Sequence, residues 1–230
     1  LDRYCDIILV GDSMANVLYG LNNTHEITIK NIIQHAASVK KGISKSLLVV
    51  DMPKGSYTTP NLAKKNAKLI IKKTGCDAVK IESNNKNFNI IKQLVKNKIP
   101  VMGHIGYTPQ FKKKFKIEGN TTEKAKKLLK EGINIQKSGA FSVVLECISP
   151  MASKLITESL RIPTIGIGSS VYCDGQILVT DDMLGLSGFY PKFVKKYANL
   201  HRTIEKAVKK YTRDVKLKKF PNFKNFLNAR

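Results

Sequence analysis

Six apolar runs in this chain end in residues that hydrophobic segments rarely carry. They read Val10-Gly11-Asp12-Ser13, Val50-Asp51-Met52-Pro53, Lys80-Ile81-Glu82, Gly103-His104-Ile105-Gly106, Leu145-Glu146-Cys147 and Gly166-Ile167-Gly168-Ser169-Ser170. A carboxylate inside an apolar segment is costly unless it has a partner. Five of the six runs carry a carboxylate or a histidine, which points to one shared site rather than scattered accidents. Asp12, Asp51 and Glu82 form an all-oxygen set of the kind that suits Mg²⁺, which keeps several waters and takes one or two carboxylates plus substrate oxygens. Such an ion can chelate an α-keto acid through its keto and carboxylate oxygens and so acidify the neighbouring C–H. Lys80 and the Ser13 hydroxyl can hold the substrate carboxylate, and Glu146, on a separate run, is placed as a general base. For any one carboxylate a structural ion pair explains the position equally well. For all of them jointly, a ligand site explains it better.

The elements that must position these groups alternate regularly. The predicted strands are Ile7–Ser13, Ser46–Pro53, Ala78–Ser83, Val101–Tyr107, Ser142–Ser149, Thr164–Ser170 and Gln176–Asp182. Between them lie predicted helices at Thr28–Lys41, Pro60–Thr74, Asn87–Asn97, Thr122–Ser138 and Met151–Leu160. Near-continuous β-branched strands separated by amphipathic helices define a parallel α/β sheet, whose ligands bind at the carboxyl ends of the strands. Side chains alternate faces along a strand, so Lys80 and Glu82 share one and Glu146 and Cys147 do not. A closed barrel needs eight strands, and seven are legible. After Asp182, Phe193–Lys216 reads as one or two long basic helices followed by a Lys/Phe/Asn-rich tail. The expected organisation is a barrel over 1-190 and a helical extension over 191-230 packed on it.

The chain has 230 residues, with 40 Lys+Arg against 17 Asp+Glu and a formal net charge of +23. Arginine, the residue preferred for bidentate phosphate and base contacts, occurs only at 3, 161, 202, 213 and 230. Nearly all of the positive charge is therefore lysine, as expected of solvated outer helices, and nucleic acid is not the expected partner. A hydrophobic content of 42% supports a core. No run is long enough to span a membrane. Four scattered cysteines fit a reducing, cytoplasmic setting.

At the same residues the sequence resembles the ketopantoate hydroxymethyltransferase family. The matching segments are VGDS at 10–13, the Thr28–Val39 helix with His35, VDMP at 50–53, KIE at 80–82 and GHIGYTPQ at 103–110. They continue with LEC at 145–147, IPTIGIG at 162–168, CDGQILV at 173–179 and PKFVKKY at 191–197. The resemblance implies a (β/α)₈ TIM barrel of the phosphoenolpyruvate/pyruvate type. It implies hydroxymethyl transfer from 5,10-methylenetetrahydrofolate to 3-methyl-2-oxobutanoate, giving 2-dehydropantoate. It places Asp12, Asp51 and Glu82 at magnesium-ligand positions and Asp12, Ser13, Asp51 and Lys80 at keto-acid contacts. Glu146 falls at the proton acceptor and His104 at a substrate-side hydrogen-bond donor. It also implies a homo-oligomer, a decamer of stacked pentamers.

Several positions depart from the family pattern. The family has a further strand and helix before the GDS motif, so this chain is expected to lack the first strand-helix unit. Phe111–Asn120, with Lys112, Lys113 and Lys114, is shorter than the family's glycine-rich loop and is expected to form part of a lid. Lys54 replaces an aromatic residue, Ala15 and Ser83-Asn84 replace glycines, and Asp181 replaces a histidine. A magnesium-dependent keto-acid lyase or aldolase, and an inactive basic binding protein on the same barrel, are the alternative functions. His25, His35 and His201 read as packing or surface residues, Cys147 as a core thiol, and Gly166-x-Gly168 as a tight turn or an anion cradle.

Overall fold

The computed structural model describes residues 1–112, 114–188 and 190–226. Lys113, Phe189 and the last four residues of the basic tail lie outside the described residues. The chain divides into two compact units, Leu1–Ile177 and Leu178–Arg230.

In the first unit, seven parallel strands pair in chain order: β1 (Ile7–Val10), β2 (Leu47–Asp51), β3 (Ala78–Glu82), β4 (Val101–Gly106), β5 (Ser142–Glu146), β6 (Thr164–Ile167) and β7 (Gly175–Gln176). The connecting helices are α1 (Met14–Val17), α2 (Ile29–Lys40), α3 (Pro60–Thr74), α4 (Phe88–Lys96), α5 (Thr122–Lys137) and α6 (Pro150–Ser159). Their starts are set by local chemistry. Thr59 accepts a hydrogen bond from Leu62 N ahead of Pro60, and Thr28 and Asn31 form a reciprocal capping box. Gly75 ends α3 in the left-handed region at φ +66°. The result is an α/β barrel-type sheet of seven parallel strands, one fewer than a closed eight-stranded barrel.

The two faces of this sheet have different cores. One packs Leu48, Val50, Val79, Ile81, Val101, Ile105, Val143 and Leu145 against helix residues such as Ile32, Ile70, Ile91, Ile135 and Ile156. The other carries a smaller cluster of Val49, Ala78, Met102 and Val144, with Leu9 and Ile165 packed against it. By strand alternation, Asp51, Lys80, Glu82, His104 and Glu146 continue this second face beyond its apolar cluster, toward the carboxyl ends. The register aligns them: Asp51 opposes Lys80, Glu82 opposes His104, and Gly106 opposes Glu146. Gly103, on the helix side of β4, lets α5 approach closely, since a Cβ there would lie 2.5 Å from Ile135 Cγ2.

Several strands stop earlier than the sequence suggests. Ser13 leaves β1 to become the N-cap of α1. Cys147, at φ +52°, ends β5, and Gly168, at φ +56°, ends β6. The largest correction is at Gln176–Asp182. Only Gly175–Gln176 is strand, and Thr180–Leu184 forms a helix, α7, with Asp181 and Asp182 in its first turn and left-handed Gly185 after it. The basic helix, α8, is confined to Leu200–Lys216 because Asn199 caps it by accepting from Arg202 N. Residues 193–199 are not helical.

Candidate active site

The polar residues read from the strand ends form one contiguous row. Asp12 N donates to Asp51 Oδ2 at 2.9 Å, so the ends of β1 and β2 are joined directly. Gly11 makes room for this, because a Cβ there would lie 3.1 Å from Ser13 Oγ and 3.4 Å from Asp51 Oδ2. Ser13 Oγ and Asp51 Oδ2 thus both border the Gly11 position. Asp51 Oδ1 pairs with the Lys80 ammonium at 2.8 Å. Lys80 Nζ donates to His104 Nδ1 at 3.3 Å, which leaves the proton of a neutral imidazole on Nε2. That Nε2 lies 3.1 Å from Glu146 Oε2 without making a hydrogen bond. Glu82 Oε1 is 3.8 Å from His104 Nδ1. Asp12, Asp51, Lys80, Glu82 and His104 are buried, whereas Glu146 keeps 18% of its side chain exposed.

Burial sets the electrostatics. It raises the Asp12 carboxyl to about 7, and the Asp51 charge adds to the shift. It raises Glu82 well above the usual carboxylate range and Glu146 to about 7, with Lys80 opposing both. For Lys80, burial works downward, but Asp51, Glu82 and Asp12 outweigh it and hold the ammonium above its ordinary value. His104 is held well below the usual imidazole range by burial and then by Lys80, so it is neutral at pH 7. Among the described residues, four carboxylates thus share a single cation. Burial also raises the Cys147 thiol to about 12, which leaves it a thiol at neutral pH.

Gln110 closes the GHIGYTPQ motif with no role expected of it, and Tyr57 carries no signal in the sequence. Gln110 is a hub of the site. Its backbone N–H donates to Glu82 Oε2 at 2.9 Å, and its Nε2 donates to Asp12 Oδ2 at 2.9 Å and to the Met52 carbonyl at 3.0 Å. Its Oε1 accepts from the buried Tyr57 hydroxyl. The segment after β4 is also tied to the barrel by Lys112, which donates to the Gly106 carbonyl at 2.6 Å and pairs with Glu118 at 3.0 Å. Outside this row, Tyr19 bonds His35, while Lys54 and the Pro109 carbonyl contact His25.

The donor set is compatible with magnesium. It is all oxygen, and its four carboxylates outnumber the Lys80 ammonium they face. Among the described residues, no group of three or more His, Cys, Asp or Glu side chains is arranged to hold a metal ion. An ion here would bind one or two of Asp12, Asp51 and Glu82 directly and fill its other positions with waters and substrate oxygens.

A parallel α/β barrel-type sheet that gathers buried acids, a lysine and a partly accessible carboxyl at its strand ends offers groups for acid–base chemistry at the edge where such folds bind ligands. The family profile described as ketopantoate hydroxymethyltransferase matches residues 1–223. A 3-methyl-2-oxobutanoate hydroxymethyltransferase of Pelagibacter ubique (strain HTCC1062) is 47% identical over 98% of this chain and 88% of its own. One of the same name from Anaplasma marginale (strain St. Maries) is 49% identical over 96% and 81%. The chain belongs to the ketopantoate hydroxymethyltransferase family and is an enzyme of it. Among solved structures, 2,3-dimethylmalate lyase, of the PEP mutase/isocitrate lyase superfamily, matches with a TM-score of 0.56 at 14% identity, over 73% of this chain and 62% of that one. Oxaloacetate acetylhydrolase in complex with oxalate matches at 0.55 and 11%, over 71% and 60%. These two establish the fold alone.

Proposed function

We propose that this enzyme transfers a hydroxymethyl group from 5,10-methylenetetrahydrofolate to 3-methyl-2-oxobutanoate, giving 2-dehydropantoate, with magnesium held among Asp12, Asp51 and Glu82, one or two of them as direct ligands. One observation carries the reading. Glu146, raised to about 7, stands at the accessible end of the row that runs through Asp12, Asp51, Lys80 and His104. When bound, magnesium supplies a Lewis acid for the keto-acid oxygens. Lys80 and Ser13 bind the substrate carboxylate. Glu146 takes the C3 proton, and a carboxyl titrating near 7 is matched to that task. Neutral His104, with its proton on Nε2, donates toward the substrate while its Nδ1 is held by Lys80.

The direct test is formation of 2-dehydropantoate from the keto acid and the folate donor with Mg²⁺. Turnover of the keto acid without the folate would instead favour the lyase reading. A cytoplasmic homo-oligomer is part of the proposal. It is supported by four free thiols and by the exposed Ile204, Val208, Tyr211 and Val215 on one face of α8. No described helix is long and apolar enough to cross a membrane.

A further inference from the structure

We infer that Gln110 is a positioning residue that fixes the Asp12 carboxylate for the metal and keto acid, and that Tyr57 fixes Gln110; this rests on the magnesium reading above. A glutamine amide has nearly the same shape in either orientation, so its partners decide which end faces where. Here the choice is forced. The Met52 carbonyl beside Nε2 can only accept, so the amide nitrogen must face it, and the second amide hydrogen reaches Asp12 Oδ2. A flipped amide would set its oxygen against the Met52 carbonyl. The remaining oxygen, Oε1, has no hydrogen to give, so the Tyr57 hydroxyl must be the donor in that bond.

Gln110 and Tyr57 are both buried, with 2% and 4% exposure, so water has little access to replace either partner. The backbone N–H of Gln110 meanwhile holds Glu82 Oε2. One residue from the segment after β4 therefore orients Asp12 beyond β1 and Glu82 on β3, and its amide also binds the Met52 carbonyl that follows β2. The amide engages Asp12 at Oδ2 and the backbone N–H engages Glu82 at Oε2, and neither bond uses the second oxygen of its carboxylate. Groups that orient metal ligands in this way commonly change metal affinity by ten- to a hundredfold when removed.

The test measures Mn²⁺ binding by loss of the free-ion electron paramagnetic resonance signal, since Mn²⁺ shares the oxygen preference of Mg²⁺. Four proteins are compared: wild type, Gln110→Leu, Tyr57→Phe and the double variant. Gln110→Leu is expected to weaken Mn²⁺ binding about 10- to 100-fold. Tyr57→Phe should weaken it less, and should add nothing once Gln110 is leucine. A purely structural tyrosine would cost the same in both backgrounds, and that result overturns the relay. Wild-type uptake with unaltered affinity in Gln110→Leu overturns the inference alone. A wild-type protein that takes up no Mn²⁺ removes the magnesium reading and this inference with it. If Gln110→Leu does not fold, Tyr57→Phe decides, because it deletes one oxygen, and unchanged affinity in that variant refutes the proposal.

Discussion

Replacing Lys80 with methionine removes the one cation found, among the described residues, in a site that holds four carboxylates. Lys80 pairs with Asp51 at 2.8 Å, and both side chains are almost fully buried. Breaking a buried ion pair from one side costs about 3–5 kcal/mol, because the remaining charge is left uncompensated. For a chain of this size each kcal/mol moves Tm by about 2–4 °C, so the loss should be about 6–20 °C. The loss should also depend on pH. Asp12 and Glu146 have folded-state values raised to about 7, so the folded state binds protons more tightly than the unfolded chain. Their contribution to stability therefore falls as pH rises from about 4 toward 7. Without Lys80 these values climb further, so the deficit of Lys80→Met should be larger at pH 8 than at pH 5.5. Adding Asp51→Asn to Lys80→Met should recover part of it, with a coupling of about 0.5–3 kcal/mol. Urea denaturation of wild type, Lys80→Met, Asp51→Asn and the double variant at both pH values, in chelator, measures the loss, its pH dependence and the coupling. A loss below about 1 kcal/mol that is equal at the two pH values would refute the picture of a desolvated, charge-coupled row.

Three further outcomes are expected. With Glu146 at about 7, kcat/KM should fall roughly tenfold per pH unit below its midpoint; steady-state rates from pH 5 to 8 check this, and a flat profile contradicts it. Saturating Mg²⁺ at about 100 Kd should stabilise the protein by about 2.7 kcal/mol at pH 8 and by less at pH 5.5, where protons compete for Asp12; calorimetric scans with and without the ion measure the difference. Gly106→Ala should destabilise by at least about 2 kcal/mol, since Gly106 sits at φ +98° and a Cβ there would lie 2.1 Å from the Glu146 carbonyl; a variant as stable as wild type in urea removes that argument.

Much of this architecture was legible because local periodicity and burial agree. Pro60–Thr74 carries its own start and stop signals, and the structure keeps those bounds. The shared face of Lys80 and Glu82 follows from the pleat alone. The site residues stood out because carboxylates interrupt apolar runs, a signal that needs no tertiary information. Gln110 and Tyr57 gave no such signal. A neutral amide in a loop and a tyrosine in a polar segment acquire meaning only when four strand ends meet. The apolar run of Gln176–Asp182 fits a strand, while Asp181, Asp182 and Gly185 favour the short helix that forms. The start of α8 was misplaced because Phe193, Val194 and Tyr197 continue an amphipathic pattern, and the Asn199 cap overrides it.

The central claim is that Glu146 removes the C3 proton of a bound keto acid. The most direct measurement is exchange of that proton with deuterium in 3-methyl-2-oxobutanoate, followed by proton NMR in D₂O with Mg²⁺ and no folate. Wild-type protein should exchange it, and Glu146→Gln should slow exchange by about 10²- to 10⁴-fold while still binding the keto acid. Exchange at the wild-type rate in Glu146→Gln would contradict the account.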